Sequence, residues 1–406
     1  MGQNGKVIPF EKAKTIPQSE NDHKLKQLKD FLRSNWDFQY NTVAEKPTYK
    51  LKNEDSYVIL EDFHFNSILF KVKSEGISVA VDLLRRLLES DFLARVNPIQ
   101  RWISNLPVVE GTNNIDQIIE TIEFESQEGK EFFKRVFPKW FVAMIANVFD
   151  ESRCTNHTCL VFTGPQGKRK TTWFNSLIPE ELEQYKFNGK IDPNSKDTMA
   201  LVHSKLLIII DDQLKQINRK DENDIKELIT KDKVTYRRPF AIFDITRPHL
   251  ASFGATVNGD DFLTDSTGSR RFLSFGVENC NIEKLKEVDL AKAYSEAYRL
   301  YQSGFRYWFD DDEIKEIDRR NEEFTSATTE QELIEKCYDL KNSKSEFYSA
   351  GEIKLYIESF TKDRVTPKRI GEALARFGVK KISVRNNETA QVRKKYPISK
   401  IQSPFQ

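Results

Sequence analysis

Apolar positions in the N-terminal part of the chain come in short clusters. Trp36–Tyr40 and Tyr57–Leu60 are aromatic-rich, and Val79–Leu88 repeats its apolar residues at helical spacing. From His23 to about Asn105 this predicts a small α/β or helical module. Two further helices are expected, one through Glu131–Val136 and, after Pro138, another through Trp140–Val148, because proline ends most helical runs. From Thr158 to about Val277 the pattern becomes strand, glycine-bearing loop, helix, uninterrupted apolar strand, helix, hairpin and strand. Such alternation predicts a parallel sheet with both faces covered. Asp311–Glu335 is charged with periodic apolar residues, as in a surface helix pair, and Lys341–Ser345 is a polar linker.

The last segment, Tyr348–Ile398, predicts two helices and two strands. Thr366 is placed to cap the second helix and Pro367 sits at its first position. Four regions follow: a flexible tail over 1–22, a mostly helical lead-in over 23–150, a sheet domain with a helical extension over 151–340, and a winged-helix-like domain over 346–406.

Composition adds limits. With 406 residues, several cores are possible. The net charge is +1, from 63 basic and 62 acidic side chains, so any polyanion partner must meet a local patch. Four cysteines without paired C-x-x-C spacing fit a reducing interior and give no zinc pattern. The N-terminus lacks the apolar run of a signal peptide, and no long uncharged apolar stretch occurs, so a soluble cytoplasmic protein without a membrane partner is expected.

The chemistry concentrates in the sheet domain. Leu160–Thr163 is an apolar strand that leads into Gly164, Pro165, Gln166, Gly167, Lys168, Arg169, Lys170, Thr171 and Thr172, the layout of a phosphate-binding loop. Its amides would cradle phosphates, Lys170 would reach the β- and γ-phosphates of ATP, and Thr171 would ligate Mg²⁺. Arg169 stands where glycine usually precedes the lysine, and its Cβ is expected to crowd the loop. About 40 residues on, Leu206–Ile210 ends in Asp211 and Asp212. The first would bind Mg²⁺ and the second would polarise water. Asn258 ends a third strand, and Arg270 and Arg271 follow a glycine turn, where a guanidinium could reach a neighbouring subunit's ATP. Singly, these are also a basic turn, an acidic strand end, a turn-forming amide and surface arginines. Their order and spacing favour one site.

Taken together, Gly164–Gly167 with Lys170–Trp173, Asp211–Asp212, Phe253–Asn258 and Phe262–Phe272 resemble the virulence-associated E family, whose motor is similar to superfamily 3 helicases of the AAA+ class. The likeness extends over roughly Trp36 to Glu335. It implies an α/β P-loop AAA+ motor with a helical or α+β N-terminal region, whereas the small C-terminal winged-helix domain is read from its own pattern of helices and strands. It also implies a homo-oligomeric, usually hexameric, ring that hydrolyses ATP between subunits, with Asn258 as sensor, Arg271 as finger and Arg270 as its helper. No acidic metal motif of a primase is present, so a primase or polymerase would be a separate partner.

DNA contacts are expected at two places. The segment between the acidic strand and the Asn258 strand carries Lys233, Tyr236, Arg237, Arg238 and His249, basic and aromatic groups suited to a single strand in a ring channel. From Thr361 to Lys400, twelve Lys or Arg face three Asp or Glu. Lys368, Arg369, Arg376, Lys380, Lys381, Arg393, Lys394 and Lys395 are the candidates there for duplex phosphates. Two other readings stay open: a nucleotide-gated DNA-binding assembly factor with weak hydrolysis, and a defence or signalling ATPase with a protein partner.

Overall fold

In the computed structural model of the chain, the described residues are 20–109, 111, 113–216, 218–238, 242–259, 261–263, 268–325, 328–340, 346–385 and 392–401. The expected tail up to residue 19, the linker Lys341–Ser345 and residues 264–267 of the glycine turn lie outside them.

Helix α1 (Glu20–Asn35) runs directly into β1 (Trp36–Asn41), so the aromatic cluster there is a strand. β1 pairs antiparallel with β2 (Lys46–Leu51) and parallel with a later strand, while β3 (Val58–Ile59) extends the sheet beyond β2. Helices α2 (Asp62–Ser74) and α3 (Val81–Leu88) follow, and β4 (Ala94–Val96) closes a four-stranded sheet in the order β3-β2-β1-β4. Leu28, Leu32, Trp36, Ile68, Val72 and Leu84 form its own core. The lobe is thus α+β, one of the two expectations for the N-terminal region.

Asn97 caps α4 (Pro98–Ser104) by accepting the Ile99 and Gln100 amides, and Pro98 occupies the first turn. After α5 (Asn114–Ile119) and β5 (Ile122–Phe124) comes α6 (Gln127–Phe149). The two helices expected around Pro138 are therefore one continuous helix with Pro138 inside it. A mid-helix proline costs about 3 kcal/mol. Here Phe133, Phe137, Trp140, Phe141, Met144 and Ile145 are all fully buried around it, and that packing outweighs the break.

The central sheet collects β6 (Cys159–Thr163), β7 (Lys186–Gly189), β8 (Leu207–Asp211), β11 (Ser252–Thr256) and β12 (Phe272–Cys280) as parallel strands, with β5 antiparallel on the β12 edge. The order is β5-β12-β6-β11-β8-β7. Counted along the chain, the parallel strands lie fifth, first, fourth, third, second. Helices α7 (Lys170–Ser176), α8 (Lys196–Ser204) and α9 (Arg219–Ile229) connect them, and the hairpin β9 (Lys233–Tyr236) and β10 (Ile245–Pro248) precedes β11.

Alternation along β6 supplies both faces of this sheet. Leu160 and Phe162 enter one core with Trp140 of α6 and Tyr294, whereas Cys159 and Val161 enter the other with Ile225 of α9 and Phe253. Helices α10 (Ile282–Glu287), α11 (Leu290–Gln302) and α12 (Asp311–Asn321) complete the domain. Among the described residues no helix is long and apolar enough to cross a membrane.

Beyond them, α13 (Thr329–Cys337), β13 (Tyr338–Asp339), β14 (Phe347–Tyr348), α14 (Ala350–Glu358), α15 (Pro367–Arg376), β15 (Ile382–Arg385), β16 (Val392–Pro397) and β17 (Ser399–Lys400) surround a separate core of Ile334, Ile353, Ile357, Ile370 and Leu374. Thr366 accepts the Arg369 amide, as the sequence predicts for this cap. β14, β16 and β15 form an antiparallel sheet in that order.

Candidate nucleotide and nucleic-acid sites

The glycine-bearing loop follows the carboxyl end of fully buried β6 and turns into α7. Gly164 has φ +124°, and a Cβ there would meet the Val277 carbonyl oxygen at 2.5 Å, so this turn requires glycine. Gly167 also has positive φ but faces open space. Arg169 caps α7 in the left-handed region at φ 59°, a conformation that costs a non-glycine residue about 1 kcal/mol. Backbone strain is thus the consequence of the missing glycine, and the Arg169 guanidinium lies 4.0 Å from Glu283.

Lys170 is buried, and its Nζ donates to the carbonyls of Gly164 at 2.6 Å and Pro165 at 2.8 Å. Burial holds its pKa below the ordinary lysine value, against the opposing pull of Cys280, Asp212, Asp211 and Glu125. Strands β8 and β11 are neighbours, with Asp211 in register with Thr256, which explains why the next groups converge. Asp211 Oδ1 accepts the Thr171 hydroxyl at 2.8 Å and the Thr256 hydroxyl at 2.6 Å. Asp212 has φ 47°, and its Oδ1 accepts the Asn258 backbone N–H at 3.1 Å.

These groups surround a cavity of 440 Å³ lined by residues 166–172, Asp211, Asp212, Thr256 and Asn258. Of the predicted nucleotide residues other than the two arginines, all but Gly164 and Pro165 line it, and those two supply the carbonyls that hold Lys170. Thr256 lies within the Phe253–Asn258 segment but is an addition to the predicted site residues. Its one signal in the sequence is its position as the last residue of the strand before Asn258. Among the described residues no cluster of three or more His, Cys, Asp or Glu could hold a metal. The pair of Thr171 hydroxyl and Asp211 carboxylate fits Mg²⁺, which takes few hard oxygen ligands from protein and completes its shell with water and phosphate.

Arg270 and Arg271 sit at the other end of the sheet. They form a short 3₁₀ turn, Ser269–Arg271, just before β12, whose first residue is in register with the first residue of β6. The phosphate-type loop follows the last residue of β6, roughly 16 Å away at ~3.3 Å per residue. Both arginines line a cavity of 250 Å³ with His157, Thr155, Tyr307 and Trp308. The Arg271 Nε is buried without a hydrogen-bond partner among the described residues, and burial, with the Arg270 charge beside it, lowers its pKa.

Two expected DNA contacts are corrected by the hairpin's packing. Tyr236 is buried and donates its hydroxyl to Glu45 at 2.9 Å. His249 is fully buried, with both ring nitrogens facing carbonyls, Lys231 at 2.7 Å and Ala251 at 2.8 Å. Neither side chain can reach a sugar-phosphate backbone. Arg238 is half-buried and donates to Tyr40 Oη at 3.3 Å, whereas Lys233 is exposed and exposed Arg237 pairs with Asp244 at 2.9 Å. The hairpin also shows what hydrophobicity alone concealed: Ile242 and Phe243 are 80% and 77% exposed beside Asp244.

In the C-terminal unit Lys380, Lys381, Arg393 and Lys394 are exposed on or beside β15 and β16, with Lys381 over the Tyr396 ring. Lys368 is exposed on α15. Arg369 lies 3.6 Å from Glu330, and Arg376 donates to Gln331 at 3.2 Å, so both lean on α13. Lys395 is 3.5 Å from Glu352.

With this geometry in place, residues 103–326 match the family described as "Virulence-associated protein E-like domain". Among solved structures the chain is similar to the apo structure of the NrS-1 C-terminal region (305–718), with TM-score 0.50 and 13% identity, covering 93% of this chain and 99% of that one. The A form apo structure of the same region is similar with TM-score 0.50 and 12% identity, again over 93% and 99%. At such identity the likeness concerns the fold. No curated protein matches the sequence.

Proposed function

This chain belongs to the virulence-associated protein E-like domain family, and from that premise we propose that it is an ATP-driven DNA motor of a phage or mobile-element replication system. The observation that carries the reading is the convergence of Lys170, Thr171, Asp211, Asp212 and Asn258 on one cavity at the carboxyl ends of adjacent parallel strands. The strand order fifth, first, fourth, third, second, with the loop on the central first strand, supports a P-loop AAA+ motor.

In this reading the loop amides and Lys170 hold the triphosphate, and Thr171 and Asp211 hold Mg²⁺. The metal, when bound, would neutralise charge on the β- and γ-phosphate oxygens. Asp212 already accepts the Asn258 amide through one oxygen and offers the other to the attacking water, while the Asn258 side chain orients that water against the γ-phosphate. Arg270 and Arg271, at the opposite end of the sheet, cannot serve their own nucleotide. They serve a neighbour's, which requires a head-to-tail ring. With the short β13–β17 pair set aside, the C-terminal order helix, strand, helix, helix, strand, strand fits a winged helix for duplex DNA.

Mixing two variants tests this. Lys170→Ala and Arg271→Ala should each lower steady-state turnover by about 100-fold or more. A one-to-one mixture should recover up to about a quarter of parental turnover, because some interfaces pair an intact loop with an intact arginine. Full turnover by either single variant, or no recovery on mixing, contradicts it. The Arg169 strain favours the alternative of a nucleotide-gated DNA-binding assembly, for which nucleotide binding without turnover is the expected result.

A further inference from the structure

The turn between β1 and β2 carries a carboxylate that the proposed motor chemistry does not use. Asn41 Oδ1 accepts the Val43 and Ala44 amides and folds this turn tightly, and Glu45 completes it in the left-handed region at φ 52°. A glutamate persists there only where surrounding contacts over-determine it. Its side chain is 7% exposed, and its partners lie about 200 residues away in sequence, on the β9–β10 hairpin.

Glu45 grips both strands of that hairpin. Its Oε2 accepts the Tyr236 hydroxyl of β9 at 2.9 Å, and its Oε1 accepts Arg247 Nε of β10 at 2.5 Å. Arg238 adds a bond from Nη1 to the Glu45 carbonyl at 3.4 Å. Tyr236 and Arg247 share one face of the hairpin, since Arg247 is in register with Val234. A second link runs in parallel: His203 faces the Thr42 carbonyl with one nitrogen and the Pro248 carbonyl with the other, each at 3.2 Å. Turn and hairpin root are therefore joined by buried and part-buried bonds, and those to the Glu45 carboxylate are charge-assisted, the kind that lose most when one partner is removed.

We propose that Glu45 is a positioning residue that fastens the β9–β10 hairpin to the N-terminal lobe, so that hairpin and lobe shift as one body. The inference rests on the reading that this hairpin meets DNA. The lobe then sets the height of the exposed Lys233, Arg237 and Phe243 relative to the strand, and force on the hairpin passes into the lobe and not only into β11.

The test uses the full chain and the variants Glu45→Ala, Glu45→Gln, Arg247→Gln and the double Glu45→Gln with Arg247→Gln. Amide exchange across β9 and β10 should rise about tenfold in Glu45→Ala and stay unchanged across β6 and β1. Basal ATPase should hold, while the DNA concentration for half-maximal stimulation should rise about fivefold or more. The double variant should be no worse than Arg247→Gln, because the two groups act as a unit. Unchanged hairpin exchange overturns the proposal, as does exchange that rises equally throughout the N-terminal lobe, or a loosened hairpin with unaltered DNA response. If the parent shows no ATPase, the motor reading fails separately, and the exchange data alone decide whether Glu45 fastens the hairpin.

Discussion

Arg169 is the residue on which competence of the phosphate-type loop turns, since it holds φ 59° where glycine would sit without strain. Arg169→Gly should raise the denaturant midpoint by an amount worth about 1 kcal/mol and should not slow turnover. A loss of turnover would show that the guanidinium itself takes part. The glycines around the loop divide by what surrounds them. Gly164→Ala must push against the Val277 backbone carbonyl at positive φ and should cost about 2 kcal/mol or more, with loss of nucleotide binding. At Gly276 the added Cβ meets the Glu125 side chain, which can swing away, so Gly276→Ala should be milder in both unfolding and binding measurements. Asp211 and Asp212 are legible in the sequence because an apolar run announces the strand they follow or end, and Lys170 and Thr171 because they open the helix after a glycine-bearing loop. Thr256 is not, since its role depends on β8 and β11 being neighbours. Tyr236 and His249 mislead because their chemistry suits DNA, and only the packing of the hairpin root turns both inward.

Among the elements, α6 shows how far packing can override a local rule. Pro138 offers no N–H to its helix, yet the aromatic side chains on either side are buried and keep the helix continuous. Pro138→Ala should raise stability by about 2 kcal/mol, read as a shift of the urea midpoint, from the restored hydrogen bond less the entropy that proline removes from the unfolded chain. A fall in stability would mean that the stacking of Phe137 on Trp140 and Phe141 depends on the proline. The buried strands and the cap at Thr366 can be read in advance because burial on two faces and capping leave direct compositional traces. The strand character of Trp36–Tyr40 is hidden, since its half-buried face alternates weakly.

At the scale of the whole molecule, near-neutral charge conceals a contrast between the proposed nucleotide cavity at one end of the central sheet and a basic C-terminal unit. If that unit binds duplex DNA, replacing Lys380, Arg393 and Lys394 with alanine should weaken binding and lower the slope of log affinity against log salt by about 0.9 for each phosphate no longer neutralised, with basal ATPase intact. An unchanged slope would remove these side chains from the interface. The parallel sheet is foreseeable from its alternating pattern, but strand order and the separation of Arg271 from its own loop come only from tertiary structure. In the proposed motor a magnesium-bound triphosphate rests on the loop that Lys170 follows. Equilibrium titration with a non-hydrolysable ATP analogue and Mg²⁺ measures this directly: the parent should saturate at one site per chain, and Lys170→Ala should bind about 100-fold more weakly. Equal affinity of parent and variant would contradict it.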